Sequence, residues 1–158
     1  MNEAQIRQIV QNTISSLKAD KSKMTLALAD KLSDAVIEQA RKMGVRAVVC
    51  VSDAAGHPKV VKCADDAYIA SYDVAVNKAF TVVALKMSTI KLKPLAQPGA
   101  SLYGIQFTNG GRIVIFGGGD ELYSDKGDII GGLGVSGGSE EQDTALSAWG
   151  KKYFETQM

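Results

Sequence analysis

Of the chain's 16 glycines, 13 fall between Gly99 and Ser139, and a sheet-forming stretch so poor in side chains can fold in few ways. It holds Asn109-Gly110-Gly111, the triple glycine Gly117-Gly118-Gly119 and the string Gly131-Gly132-Leu133-Gly134-Val135-Ser136-Gly137-Gly138-Ser139. The apolar runs Ile113–Phe116 and Ile129-Ile130 lie between them. Glycine gives up the most backbone entropy on folding, so it persists where a Cβ would clash or φ must be positive. Such density marks either sharp reversals in a sheet or backbone that a ligand approaches closely.

Gly132-Leu133-Gly134-Val135-Ser136-Gly137 spells G-x-G-x-x-G between a strand and a helix, the context of a dinucleotide fingerprint. The following helix opens on Ser139-Glu140-Glu141-Gln142-Asp143, whose three carboxylates repel a pyrophosphate and already neutralise the positive helix end. Leu133 and Val135 also continue the strand, with glycines at alternate positions. The spacing predicts a strand packed closely under a helix, then a capping box of Ser139 and Gln142. The same residues mimic a nucleophile elbow around Ser136. An α/β-hydrolase carries its histidine after the serine, and the one histidine here, His57, precedes it.

Elsewhere the periodicities are plain. Asn2 and Gln5 form a candidate capping box for a helix in which Ile6, Ile9, Val10, Thr13, Ile14 and Leu17 recur at helical spacing. A second helix follows Thr25, with Leu28, Leu32, Val36, Ala40 and Met43 inward and Gly44 as its C′ residue. Val45–Ser52 reads as a central strand, apolar on both faces. A turn at 53–58 leads into a strand at Lys59–Cys63. Asp65 and Asp66 open a third helix whose apolar face is Ile69, Tyr72, Val76, Phe80, Val83 and Met87. Pro94 and Pro98 bracket an irregular link. Three or four short strands are expected over 102–135, with reversals at Asn109-Gly110 and Ser124-Asp125-Lys126-Gly127. A last helix from Ser139 turns Leu146, Trp149 and Tyr153 to one side. Clustered strands imply an antiparallel sheet and an α+β domain over 1–158.

Lys and Arg total 18 against 17 Asp and Glu, a net charge of +1 that gives no footprint for nucleic acid or anionic lipid. No apolar run approaches the roughly 20 residues of a membrane span, and the N-terminus lacks a signal-peptide pattern. The expectation is a cytoplasmic protein with Cys50 and Cys63 reduced in its core.

Three groups of candidate site residues emerge. His57 is either a solvated turn residue or an axial ligand or proton donor for a bound cofactor. Lys78 is either a snorkelling surface lysine or a cation aimed at a ligand carboxylate. Gly117, Gly118 and Gly119 either serve a chain crossing or line a ligand pocket with their N–H groups. Asp65 and Asp66 read as helix-start carboxylates and Asp73 with Asn77 as an ordinary i,i+4 pair, not as a metal cluster. Met24, Met43 and Met87 read as core filler.

Taken together, several segments resemble the GlcG/HbpS-like family of small haem-associated proteins, a domain that also forms the C-terminal part of PduO-type corrinoid adenosyltransferases. The carriers are Met24-Thr25-Leu26, Val49–His57, Ala75–Thr81 with Lys78-Ala79, Leu102-Tyr103-Gly104, Asn109-Gly110-Gly111, Phe116–Gly119 and Gly131–Asp143. The resemblance implies a profilin-like fold, with a five-stranded antiparallel sheet, helices on both faces and homo-oligomeric assembly. It implies non-covalent binding of a tetrapyrrole, most often haem, by a carrier, a sensor or a weak oxidative degrader. The alternative it implies is a non-catalytic accessory of cobalamin-dependent diol or glycerol metabolism that binds corrinoid or a partner enzyme. The expected cofactor-binding set is His57, Lys78, Tyr103, Asn109, Gly117, Gly118 and Gly119, with no catalytic residue carried over. Two departures stand out: Asp120-Glu121 replaces a common valine-proline pair, and Lys62-Cys63-Ala64-Asp65 replaces a basic residue, methionine and aspartate.

Overall fold

A computed structural model of the protein describes residues 2–17 and 19–158, without the side chains of residues 11–18. Thr13, Ile14 and Leu17 of the expected N-terminal stripe fall among those side chains, outside the described residues. The chain runs α1 (Glu3–Leu17), α2 (Leu26–Lys42), β1 (Val48–Asp53), β2 (Pro58–Cys63), α3 (Ala70–Leu85), α4 (Thr89–Leu95), β3 (Gly119–Tyr123), β4 (Ile129–Ser136) and α5 (Glu140–Gln157). The sheet is antiparallel throughout, in the order β2-β1-β4-β3. Helices α2 and α5 cover one face and α3 the other, which makes the α+β architecture clear. No helix among the described residues is long and apolar enough to cross a membrane.

The helix ends follow local rules. Asn2 and Gln5 bond reciprocally, Thr25 Oγ1 caps α2 by accepting from Leu28 N–H, and Ser139 with Gln142 closes a capping box on α5. Each satisfies N–H groups that a helix start leaves without partners. Gly44 follows α2 at φ +71°. Helix α2 buries Leu28, Leu32, Val36 and Ala40 as its periodicity predicts. They meet Val49, Val51, Leu133, Val135, Leu146 and Phe154 in the main core. Strand β1 is buried on both faces, with Val48 and Cys50 turned toward α3. Burial pushes the Cys50 thiol up to about 12, whereas Cys63 is exposed at the end of β2, against expectation.

Among the described residues the sheet has four strands, not five. Ile113–Phe116 is extended but unpaired, because Val114 N–H donates to the Thr81 side chain at 3.0 Å instead of to a neighbouring strand. Asn109-Gly110 accordingly belongs to a short 3₁₀ turn, not to a hairpin. The reversal at 124–127 does join β3 to β4, with Ser124 Oγ accepting from the N–H groups of Lys126 and Asp128. The link after α3 contains α4, with Pro94 inside it. Helix α3 starts at Ala70, not at Asp65 and Asp66, which lie in the preceding turn with Asp66 at φ +60°.

The largest correction concerns which side of α3 faces the sheet. Its buried residues are Ser71, Ala75, Lys78, Ala79, Thr81 and Val82. Ile69 and Tyr72, on the expected inner stripe, are 97% and 49% exposed. The reason lies in β4. A Cβ at Gly134 would land on the Ala75 carbonyl oxygen, and one at Gly132 on that of Ala79. The strand thus presents bare backbone, and the helix approaches it with its smallest side chains. Ser52 Oγ fills the seam, accepting from Gly132 N–H at 3.1 Å and donating to Ala79 O at 3.3 Å. The same packing denies the G-x-G-x-x-G segment any space for a pyrophosphate.

Either Gly134→Ala or Gly132→Ala is expected to cost about 3 kcal/mol, the upper end for overpacking a tight interior. A urea midpoint equal to that of the parent protein would contradict this contact between helix and strand.

Candidate functional site

The outward side of α3 gathers two segments around Phe80. A Cβ at Gly56, in the turn between β1 and β2, would lie 2.9 Å from the Phe80 ring, so the turn rests on that aromatic. The Arg112 guanidinium also stacks on the ring, 3.7 Å from its centroid. Arg112 Nε also donates to Asn77 Oδ1 at 3.4 Å, and Asn77 sits one turn before Phe80 on the same helix face. The Arg112 carbonyl accepts from Thr81 Oγ1 at 3.3 Å. Its N–H donates to the Asn109 carbonyl at 3.3 Å, which ties Asn109 to the platform.

His57 follows Gly56 directly. Asp53 pins the turn: its Oδ1 accepts from the N–H groups of Ala55 and His57 at 2.9 and 3.0 Å. The imidazole is exposed and has no hydrogen-bond partner among the described residues. Tyr103 and Phe107, 63% and 81% exposed, stand on the segment that leads to Asn109. The structure therefore gathers His57 and Asn109 at one platform, with Tyr103 on the adjoining segment.

Lys78 and the triple glycine occupy the opposite side of α3. Lys78 is fully buried, so it does not snorkel. Its ammonium donates to Val135 O at 2.7 Å and Asp143 Oδ2 at 3.1 Å, and lies 4.9 Å from the Phe116 ring centroid. Burial pushes Lys78 below the usual lysine range, and the Asp143 carboxylate opposes that shift. Asp143 Oδ1 accepts in turn from Gly138 N–H at 2.9 Å. A Cβ at Gly118 would meet Lys78 Nζ at 2.6 Å and Val135 O at 2.8 Å, so only glycine fits beside the ion pair, at φ +110°. Gly117 N–H donates to Glu140 Oε1 at 3.0 Å and Gly119 N–H to Thr89 Oγ1 at 2.9 Å. Those two donors are satisfied within the chain.

The two departures from the family pattern make contacts of their own. Lys62 pairs with Asp30 at 2.7 Å and Asp34 at 2.5 Å, tying β2 to α2. Asp120 Oδ2 accepts from Ser147 Oγ at 2.7 Å, and the buried Glu121 lies 3.5 Å from Lys151 Nζ. Burial raises the Asp120 carboxyl above the usual aspartate range, with Ser147 opposing it.

Sequence reasoning missed Phe80, Asn77, Arg112 and Asp143 as site builders. Phe80 was assigned to the core and Asp143 to a helix start. One signal was available: Arg112 is the sole arginine of the glycine-rich stretch and directly follows Asn-Gly-Gly.

Two outcomes follow from these contacts. Lys78→Met or Asp143→Asn alone leaves a buried group unpaired and is expected to cost about 3–5 kcal/mol in urea unfolding, with the double variant costing less than the sum. Strict additivity would count against the pair. For Asp120 the folded state binds the proton more tightly than the unfolded one, so its ionisation costs stability above the raised pKa and costs nothing below the unfolded value. Asp120→Asn should therefore gain stability as pH rises through that window, and a gain independent of pH would contradict the assignment.

The family described as haem degrading protein, HbpS-like, matches residues 24–150. A 15.0 kDa protein from the dhaT–dhaS intergenic region of Citrobacter freundii is 44% identical over 124 residues, 78% of this chain and 87% of that protein. Corrinoid adenosyltransferase PduO of Salmonella typhimurium is 40% identical over 148 residues, 90% of this chain. The chain spans only 44% of that enzyme's length. Among solved structures, the PduOC:heme complex aligns with a TM-score of 0.78 at 39% identity, covering 82% of this chain and 94% of that one. With matched sequence from Met24 to Gly150 and the same fold in a solved relative, the chain belongs to the HbpS-like family of haem degrading proteins.

Proposed function

We propose that the protein binds a tetrapyrrole non-covalently, haem in the first place, on the platform around Phe80, as a carrier, a sensor or a weak oxidative degrader. The observation that carries this reading is the His57 imidazole, exposed and unpartnered at the end of a pinned turn that rests on an aromatic ring. The donor set suits the group: an imidazole and the Tyr103 phenol as axial candidates, with Tyr72, Tyr103 and Phe107 as exposed apolar surface. Haem, when bound, supplies the redox chemistry, and the protein positions it. Here the work of the chain's own residues is to hold the ring in place. Asp53 fixes the backbone at His57, and Asn109 anchors the neighbouring loop. Lys78 with Gly117, Gly118 and Gly119 serves the site from beneath, by locking α3 in place. The solved PduOC:heme complex and the family's name support the ligand class.

The exposed Ile69 and Tyr72 on α3 fit a homo-oligomer, and the free thiols Cys50 and Cys63 fit a cytoplasmic location. The second reading, an accessory that binds corrinoid or a partner enzyme in cobalamin-dependent diol or glycerol metabolism, is favoured by the similarity to corrinoid adenosyltransferase PduO.

Parallel absorbance titrations with haemin and cob(II)alamin separate the two. The expected result is a saturable Soret shift with haemin that His57→Ala alters in shape and weakens about tenfold, or 1.4 kcal/mol. A Soret shift indifferent to the substitution would remove His57 as ligand. Saturation with cob(II)alamin alone would move the assignment to the corrinoid.

A further inference from the structure

The platform holds a cation whose role differs from that of every other basic side chain around α3. Lys78, on the same helix, is fully buried and already has a carboxylate, a carbonyl and an aromatic face as partners. It has no free valence for an outside anion. Arg112 is the reverse case. Its guanidinium lies flat on Phe80, and Asn77 holds its Nε. Its carbonyl and N–H are tied to Thr81 and Asn109. The side chain is half-buried and forms no ion pair with any described residue.

Two contacts on the guanidinium and two on its backbone thus orient a group that is flexible on most surfaces, and they leave the edge carrying both Nη nitrogens without a partner among the described residues. A planar fork of two parallel N–H donors matches a carboxylate in two-point geometry, which an ammonium cannot reproduce. Because the fork is already stacked and tethered, little side-chain freedom remains to be lost on binding. The same Phe80 ring also supports the turn that leads to His57. A ligand seated across this platform would meet an imidazole from one segment and a guanidinium from another.

We propose that Arg112, held by Phe80 and Asn77, is the residue that recognises a carboxylate of the ligand, a propionate in the case of haem. The assignment rests on the tetrapyrrole reading and adds to it the group that reads the ligand's acidic edge. It makes Arg112 a specificity determinant, favouring macrocycles with free carboxylates over esterified or amidated ones.

The test is a set of titrations with haemin and with haemin dimethyl ester, in which the macrocycle and iron are kept and the carboxylates are masked. Parent protein, Arg112→Gln, Arg112→Lys and Lys59→Gln are compared, with thermal melts to verify that each variant is folded. Lys59 is exposed on β2 just beyond the same turn and controls for loss of one positive charge. Arg112→Gln should bind haemin roughly 10- to 100-fold more weakly, the range of a hydrogen bond to a charged group, and bind the ester like the parent. Arg112→Lys should recover only part of the loss, and Lys59→Gln should change little. If Arg112→Gln and the parent bind haemin equally, or if both ligands weaken by the same factor, the carboxylate assignment is overturned while haem binding stands. If the parent binds neither ligand, the tetrapyrrole reading itself falls.

Discussion

Helix α3 lies directly on the backbone of β4 because Gly132 and Gly134 put nothing between them. Much else follows from that approach. The helix must meet the strand with Ala75 and Ala79, so its bulky residues turn outward. Phe80 becomes a half-buried support for two loops instead of a core side chain. Lys78, one position before Ala79, is carried into the interior, where it needs a counter-charge. Asp143 supplies it from the first turn of α5.

That buried pair sets the conditions for its surroundings. Removing an ammonium from water is costly unless its donors are satisfied, and here Val135 O, Asp143 and the Phe116 ring together do so. Gly118 is required because any side chain would occupy the position of the ammonium. A Cβ at Gly117 would strike Thr144, and one at Gly119 would crowd Thr89. The triple glycine is thus the meeting point of α3, α4, α5 and the start of β3. A buried ion pair of this kind is weak evidence for net stability, but it specifies one arrangement of the elements around it, since no other leaves both charges paired.

The platform inherits its geometry from that junction without sharing its chemistry. One side of α3 is dry, charged and self-satisfied, and the other is exposed, aromatic and incompletely partnered. The proposed ligand site belongs to the second side. There, a histidine comes from the turn between β1 and β2, and a tyrosine and a stacked arginine come from the segment that precedes β3.

The sequence by itself determined the local events. Capping residues at Asn2, Thr25 and Ser139, the inward face of α2, the doubly buried β1, the turn at 124–127 and the close packing of β4 depend on neighbours within a few positions. The family, too, was legible, because its glycine segments are steric requirements written as residues. Tertiary structure alone decided which side of α3 is inside. A hydrophobic stripe of Ile69, Tyr72, Val76 and Phe80 is the stronger periodic signal, yet packing distance overrode it, since only Ala75 and Ala79 fit against strand backbone. It also decided that Ile113–Phe116 stays outside the sheet, for its Val114 N–H finds Thr81 instead of a strand. The pairing of Lys78 with Asp143, 65 positions apart, and of Arg112 with Phe80 and Asn77 could not be read from the chain. Such contacts depend on how three elements cross, and no local rule encodes a crossing.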